Sequence, residues 1–218
     1  MSHRPFRFND VVRLTCPTGS SATTLREFLI GVENADVSVI HHHLRETPLR
    51  FPHRLGRFPN DFALWAGDAL ENQALAERLA VLDPFHERDL EILREQVAEG
   101  IEIALEEEQS SRAVLPGREF TFSSSVALEI ELGIEAEGLA DLCRRLGQVP
   151  ARSLFHHLYE ARLRNPDGVD DISRWLIESL DMAEMAARLA DLDIYLLSLE
   201  DCRRVVCMLL ANGREVAS

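Results

Sequence analysis

Arg4-Pro5-Phe6-Arg7-Phe8 and Arg118-Glu119-Phe120-Thr121-Phe122 stand 114 positions apart, and the match between them continues without a gap. Val12, Leu14, Gly19, Ala22 and Leu25 fall on Val126, Leu128, Gly133, Ala136 and Leu139. His42, His43, Leu44 and Glu46 fall on His156, His157, Leu158 and Glu160. After a four-residue excess in the first half the offset becomes 110, and Asp61, Trp65, Leu70, Arg78 and Asp83 fall on Asp171, Trp175, Leu180, Arg188 and Asp193. Polar residues at fixed spacing take part, so composition alone does not account for the match. The period is far longer than the roughly 20–50 residues of a solenoid unit. It reads as a duplicated domain: a first copy at 1–108, a linker at 109–117 and a second copy at 118–218.

Within each copy the opening segment is extended. Val126, Leu128, Ile130, Leu132 and Ile134 alternate with other residues, the period of a half-buried strand. Phe6, Phe8, Val12 and Leu14 give a weaker version, and Gly19 and Gly133 suit a turn that needs positive φ. The rest has helical periodicity. Thr23 or Thr24 and Asp36 are candidate N-caps, as are Asn60 or Asp61 and Asp170 or Asp171. Pro150 suits a first helical turn, and Gly213 a C-terminal stop. The fold class expected is mainly α with a small α+β element, a tandem duplication of a helical domain in which each copy opens with a short extended β segment.

Composition narrows the partners. Charged residues make up 28% of the 218 and hydrophobic ones 46%, the balance of a soluble globular protein. The net charge of −14 repels nucleic-acid backbones and anionic membranes on average. No stretch approaches the roughly 20 apolar residues of a membrane span, and the start lacks the apolar run of a signal peptide. Cys16, Cys143, Cys202 and Cys207 have no matching cysteine in the other copy and form no Cys-x-x-Cys, which points to free thiols in a reducing cytoplasm.

The constellation closest to chemistry is Val39-Ile-His-His-His-Leu-Arg-Glu46 against Ser153-Leu-Phe-His-His-Leu-Tyr-Glu160. On ideal α-helices Ile40 and Leu44 share a face with Val37, as Leu154 and Leu158 do with Ala151, and His43 and His157 border it. His42 and His156 then point to the far side, toward solvent or an interface, each four residues before Glu46 or Glu160. The candidate functional cluster is therefore His42, His43, Glu46, His156, His157 and Glu160. Helical di-iron sites use Glu-x-x-His on facing helices, whereas here the order is His-x-x-Glu. Two ligands per copy fall short of the three or four that a first-row metal needs, so neither a metal nor another cofactor is expected. Trp65 and Trp175 read as core anchors. The chain has no Gly-rich phosphate loop and no nucleophile elbow.

The Phe-x-Phe starts, Gly19 and Gly133, Ser153 to Glu160, Asn60-Asp61-Phe62 with Trp65, and Leu82-Asp83-Pro84-Phe85 together resemble an uncharacterised bacterial family, domain of unknown function 5752. The likeness covers nearly the whole chain. His41 and His42 depart from the pattern, standing where aromatics are expected. The resemblance implies a bacterial origin and carries no activity with it.

The function expected is a non-enzymatic cytosolic protein-binding, assembly or regulatory protein, with a protein partner or self-association and neither nucleic acid nor membrane. The alternative is a metal-dependent or small-ligand enzyme with a site between the copies at the histidine helices.

Overall fold

The computed structural model describes residues 4–50, 55–107, 113–194 and 197–212, without the side chains of 49, 50 and 212. Residues 109–112 of the expected linker and the stop at Gly213 lie outside them. β1 (Phe6–Ala22) leads to α1 (Leu25–Glu33), then to α2, a continuous helix over 37–50. α3 (Asp61–Asp68), α4 (Gln73–Ala80) and α5 (Leu90–Glu107) follow. β2 (Phe120–Ala136) precedes α6 (Leu139–Leu146), α7 over 151–164, α8 (Asp171–Leu180), α9 (Ala183–Ala190) and α10 (Leu199–Asn212).

The expected fold class is corrected. The arrangement is α+β, and the extended segments are not short: β1 and β2 are 17 residues each and pair antiparallel as one two-stranded ribbon. Cys16 to Ser20 is polar and contains Pro17, so alone it reads as a loop. A two-stranded ribbon has only edges, where a proline without an N–H is tolerated. Gly19 and Gly133 do take positive φ, 84° and 64°, but inside the strands rather than at a turn.

Nor does the chain form two self-contained tandem copies. It divides into one compact unit of Arg13–Val126 and another of Met1–Val12 with Ala127–Ser218, so each strand contributes to both units.

In the 13–126 unit α1 and α2 pack on α5, and α3 packs on α4, which also meets α5. Thr24 caps α1 by accepting from the Glu27 N–H, and Glu27 in turn accepts from the Thr23 N–H at 2.8 Å. The core holds Phe28, Ile40, Leu44, Phe62, Trp65, Leu79 and Ile101, and it is closed by Phe120 and Phe122 from the start of β2. Phe28 meets Trp65 at 4.6 Å and Phe120 at 4.9 Å between ring centroids. A Cβ on Gly31 would lie 2.2 Å from the Phe122 ring, so only glycine lets α1 approach this closely. Trp65 is buried, and its Nε1–H donates to the Arg118 carbonyl at 2.8 Å.

The other unit repeats the logic with the start of β1. Phe6 packs edge-on to Trp175 at 5.8 Å and to Phe8 at 4.9 Å, and Trp175 Nε1 donates to the Arg4 carbonyl. Leu142, Leu146, Leu176, Leu189, Val206 and Leu210 complete its apolar interior. The Phe-x-Phe that precedes α1 in sequence thus seals α6–α10, and the one that precedes α6 seals α1–α5.

Phe122→Ala should therefore destabilise the protein by about 3–5 kcal/mol, the usual loss for a buried phenylalanine. Amide exchange should accelerate in α1 and α3. Acceleration confined to α6 and α8 would mean that each Phe-x-Phe packs with the helices that follow it.

Candidate functional site

The histidine helices are not α-helical throughout. α2 is α at Val37–His41, π at His42–Glu46 and α again at Thr47–Arg50, with the Thr47 N–H reaching the His42 carbonyl. α7 has its π turn at Phe155–Glu160, where the Ala161 N–H reaches the His156 carbonyl. A π turn spreads more residues around each turn than an α turn does. The consequence is burial of five consecutive side chains, His42 through Glu46. On the outer side Arg45 holds the 84–88 segment in place through the Pro84 and Glu87 carbonyls, each at 2.7 Å. The expected outward placement of His42 and His156 is thereby corrected: they are only 6% and 3% exposed.

His43 is satisfied at both ring nitrogens. Its Nε2 accepts from the Ser123 N–H of β2 at 3.0 Å, and its Nδ1–H donates to Asp61 Oδ2 at 2.8 Å. His157 does the same in its own unit, accepting from the Asn9 N–H of β1 at 2.9 Å and donating to Asp171 at 2.9 Å. Asp61 and Asp171 are not the helix caps. Asn60 and Asp170 cap α3 and α8, leaving the next residue free to face the imidazole. The matched spacing of these aspartates was visible in the sequence, but their pairing with the histidines was not.

The outer histidines serve a different group. Glu46 is buried among His42 at 2.9 Å, His41 at 3.4 Å, Ser125 Oγ at 2.5 Å and the Arg13 guanidinium. Burial alone would push its carboxyl up, but the hydrogen bonds from His41, His42 and Ser125, with the Arg13 charge, hold it well below the usual carboxylate range. In the other unit His156 lies 3.2 Å from Glu160 and, through Nε2, 3.1 Å from Glu129 of β2.

A cavity of about 550 Å³ opens in the 13–126 unit beside His42, His43, Asp61 and Trp65. Among the described residues one trio has metal-ligand spacing, His156, His157 and Asp171, with one ligand atom each within 4.8 Å of the others. His157 has no nitrogen to spare for a metal: its Nε2 accepts from the Asn9 N–H, and its Nδ1 proton belongs to the Asp171 contact. A His–Asp pair working as a general base would keep Nε2 for the reacting group. Here a backbone N–H occupies it in both units.

A family model for proteins of unknown function, DUF5752, matches residues 3–211. The chain belongs to this family. The family member's structural likeness extends to OrfY from Thermoproteus tenax, a solved structure 28% identical in sequence, with 97% of each chain covered and a TM-score of 0.74. No curated protein matches the chain. The family description supplies no activity, so the site is read from its geometry. Among its described residues no helix is long and apolar enough to cross a membrane.

Two measurements follow. Burial pushes His43 and His157 below their ordinary 6.5, outweighing the upward pull of Asp61 and Asp171. Unfolding raises them again, so the unfolded chain binds more protons. The stability they confer is complete above about pH 6.5 and falls as pH drops toward their folded values, by up to about 1.4 kcal/mol per pH unit for each histidine. Urea midpoints should decline from pH 7.5 to 5.5, and a flat profile would show that the histidines take up protons as readily in the fold as in the unfolded chain. Stoichiometric zinc should leave the Tm unchanged. A zinc-dependent rise that is lost in His156→Ala would assign the trio to a metal.

Proposed function

We propose that this is a non-enzymatic cytosolic assembly protein that associates with a second copy of itself through the open face of β2. The observation that carries this is a row of apolar side chains at two-residue spacing in the unit containing 127–218. Leu128 and Ile130 are 50% and 47% exposed, and Leu132 and Ile134 continue the row half-buried. The row runs for about 20 Å at the rise of a strand. Isolated apolar side chains on a surface need no explanation, but a contiguous row marks an interaction surface.

A two-stranded ribbon is marginal by itself and is stabilised by whatever packs on its faces. A second ribbon supplies such a layer at the usual sheet spacing of about 10 Å. Under a two-fold axis the row meets its own copy, which makes it self-complementary. The inner histidines support the non-enzymatic half of the reading, since each ring spends both nitrogens on the fold. The free thiols of Cys16, Cys143, Cys202 and Cys207 fit a reducing compartment.

Sedimentation velocity across a concentration series should show a monomer–dimer equilibrium. The double substitution Leu128→Glu plus Ile130→Glu should shift it to monomer while leaving the circular dichroism unchanged. A wild-type chain that remains monomeric at high micromolar concentration would rule self-association out.

A further inference from the structure

We infer that the cavity of the 13–126 unit binds a small zwitterion, a molecule carrying a carboxylate and an ammonium group, with His42 Nε2 as the partner of the carboxylate. The volume of about 550 Å³ lies within the 300–1,000 Å³ typical of small-molecule sites. His42 lines this cavity, is 94% buried by its 6% exposure, and gives Nδ1 to Glu46. Its Nε2 has no hydrogen-bond partner among the described residues. A ring nitrogen that opens on a cavity without a protein partner can form a hydrogen bond to a ligand's polar group.

The other unit shows a partner for that nitrogen: His156, at the matched position, directs Nε2 to the Glu129 carboxylate at 3.1 Å, with the Arg164 guanidinium 3.4 Å from the same nitrogen. The position matched to Glu129 is Thr15, which lines the cavity with His42. Threonine is too short to deliver a carboxylate, so the space that Glu129 fills in one unit is open in the other. A carboxylate on the ligand takes the place of the missing side chain and accepts from the Nε2–H of His42.

The remaining lining decides the rest of the ligand. Three carboxylates face one arginine around the cavity, a balance that disfavours a polyanion and attracts a cation. Asp68 is exposed and has no ion pair among the described residues, so it is available to an ammonium group. Leu64 and Trp65 form an apolar wall for a short carbon chain between the two charged ends.

The test uses the full chain and 4-aminobutyrate as the probe, with butyrate and n-butylamine as its two halves, read by the imidazole NMR signals of His42 and by thermal shift. 4-Aminobutyrate should perturb His42 saturably, and each half should bind more weakly. Thr15→Glu should fill the site as Glu129 does and weaken the probe at least about tenfold, equivalent to 1.4 kcal/mol. His42→Gln should do the same, so the inference does not depend on one variant folding. The inference fails if His42 is unperturbed at tens of millimolar probe. It also fails if n-butylamine binds as well as 4-aminobutyrate, or if both variants bind the probe with wild-type affinity.

Discussion

An imidazole ring held at both nitrogens is the contact on which each unit depends. His43 ties three segments together: the π turn that carries it, the Ser123 N–H of β2, and Asp61 in the first turn of α3. His157 ties its own π turn to Asn9 of β1 and to Asp171 of α8. The ring can fill these roles only as the neutral Nδ1–H tautomer, with Nε2 left to accept. Burial enforces that state by disfavouring the charged form. The aromatic side chains then assemble around the fixed ring. Phe120 packs 4.8 Å from His43, and Phe6 packs 5.0 Å from His157. A purely apolar residue at 43 would leave a strand N–H without a partner and release the strand from the helix.

Much of the secondary structure was legible because local rules decide it. Thr24, Asp36, Asn60 and Asp170 cap helices where short polar side chains precede apolar periodicity. The strands were under-read because Thr15 to Ser20 has no alternating apolar pattern, and pairing with β2 alone makes it extended. Which strand start seals which helices was not legible at all. Phe6-Arg7-Phe8 and Phe120-Thr121-Phe122 offer the same two rings at the same spacing, so either could complete either core. Local sequence cannot distinguish them. Only the length and antiparallel course of the ribbon deliver each pair of rings to the other set of helices.

The histidine site shows a different limit. An ideal α-helix places His42 opposite Ile40, and on that geometry the residue belongs to solvent. The π turn removes the assumption, since each residue then advances less around the axis and the inward face widens. His41 and His42 can then converge on one buried carboxylate, that of Glu46, with Arg13 and Ser125 arriving from the strands. A signal was present in the sequence: the run His41 to His43 followed by Leu44 and Glu46 places too much polarity for a plain core stripe and too many apolar residues for a solvated face. Such a mixture suits a helix covered on both sides, as the hold of Arg45 on the 84–88 segment shows.

The two outer histidines separate what a fold needs from what it leaves over. His42 and His156 both spend Nδ1 on the glutamate four residues ahead, and that contact satisfies the helix in both units. Only His156 has a strand carboxylate for its second nitrogen, because the strand carries Glu129 in one unit and Thr15 in the other. The threonine does not replace the missing charge with packing, since it faces a cavity rather than a filled interior. A position that served stability alone would be occupied either by an acid, as at 129, or by an apolar side chain large enough to displace water. A short hydroxylated residue does neither, and leaves the nitrogen facing open space. A ligand that brings an acceptor to His42 would supply in the 13–126 unit the contact that the other unit has built into its own chain, and would stabilise the fold by mass action.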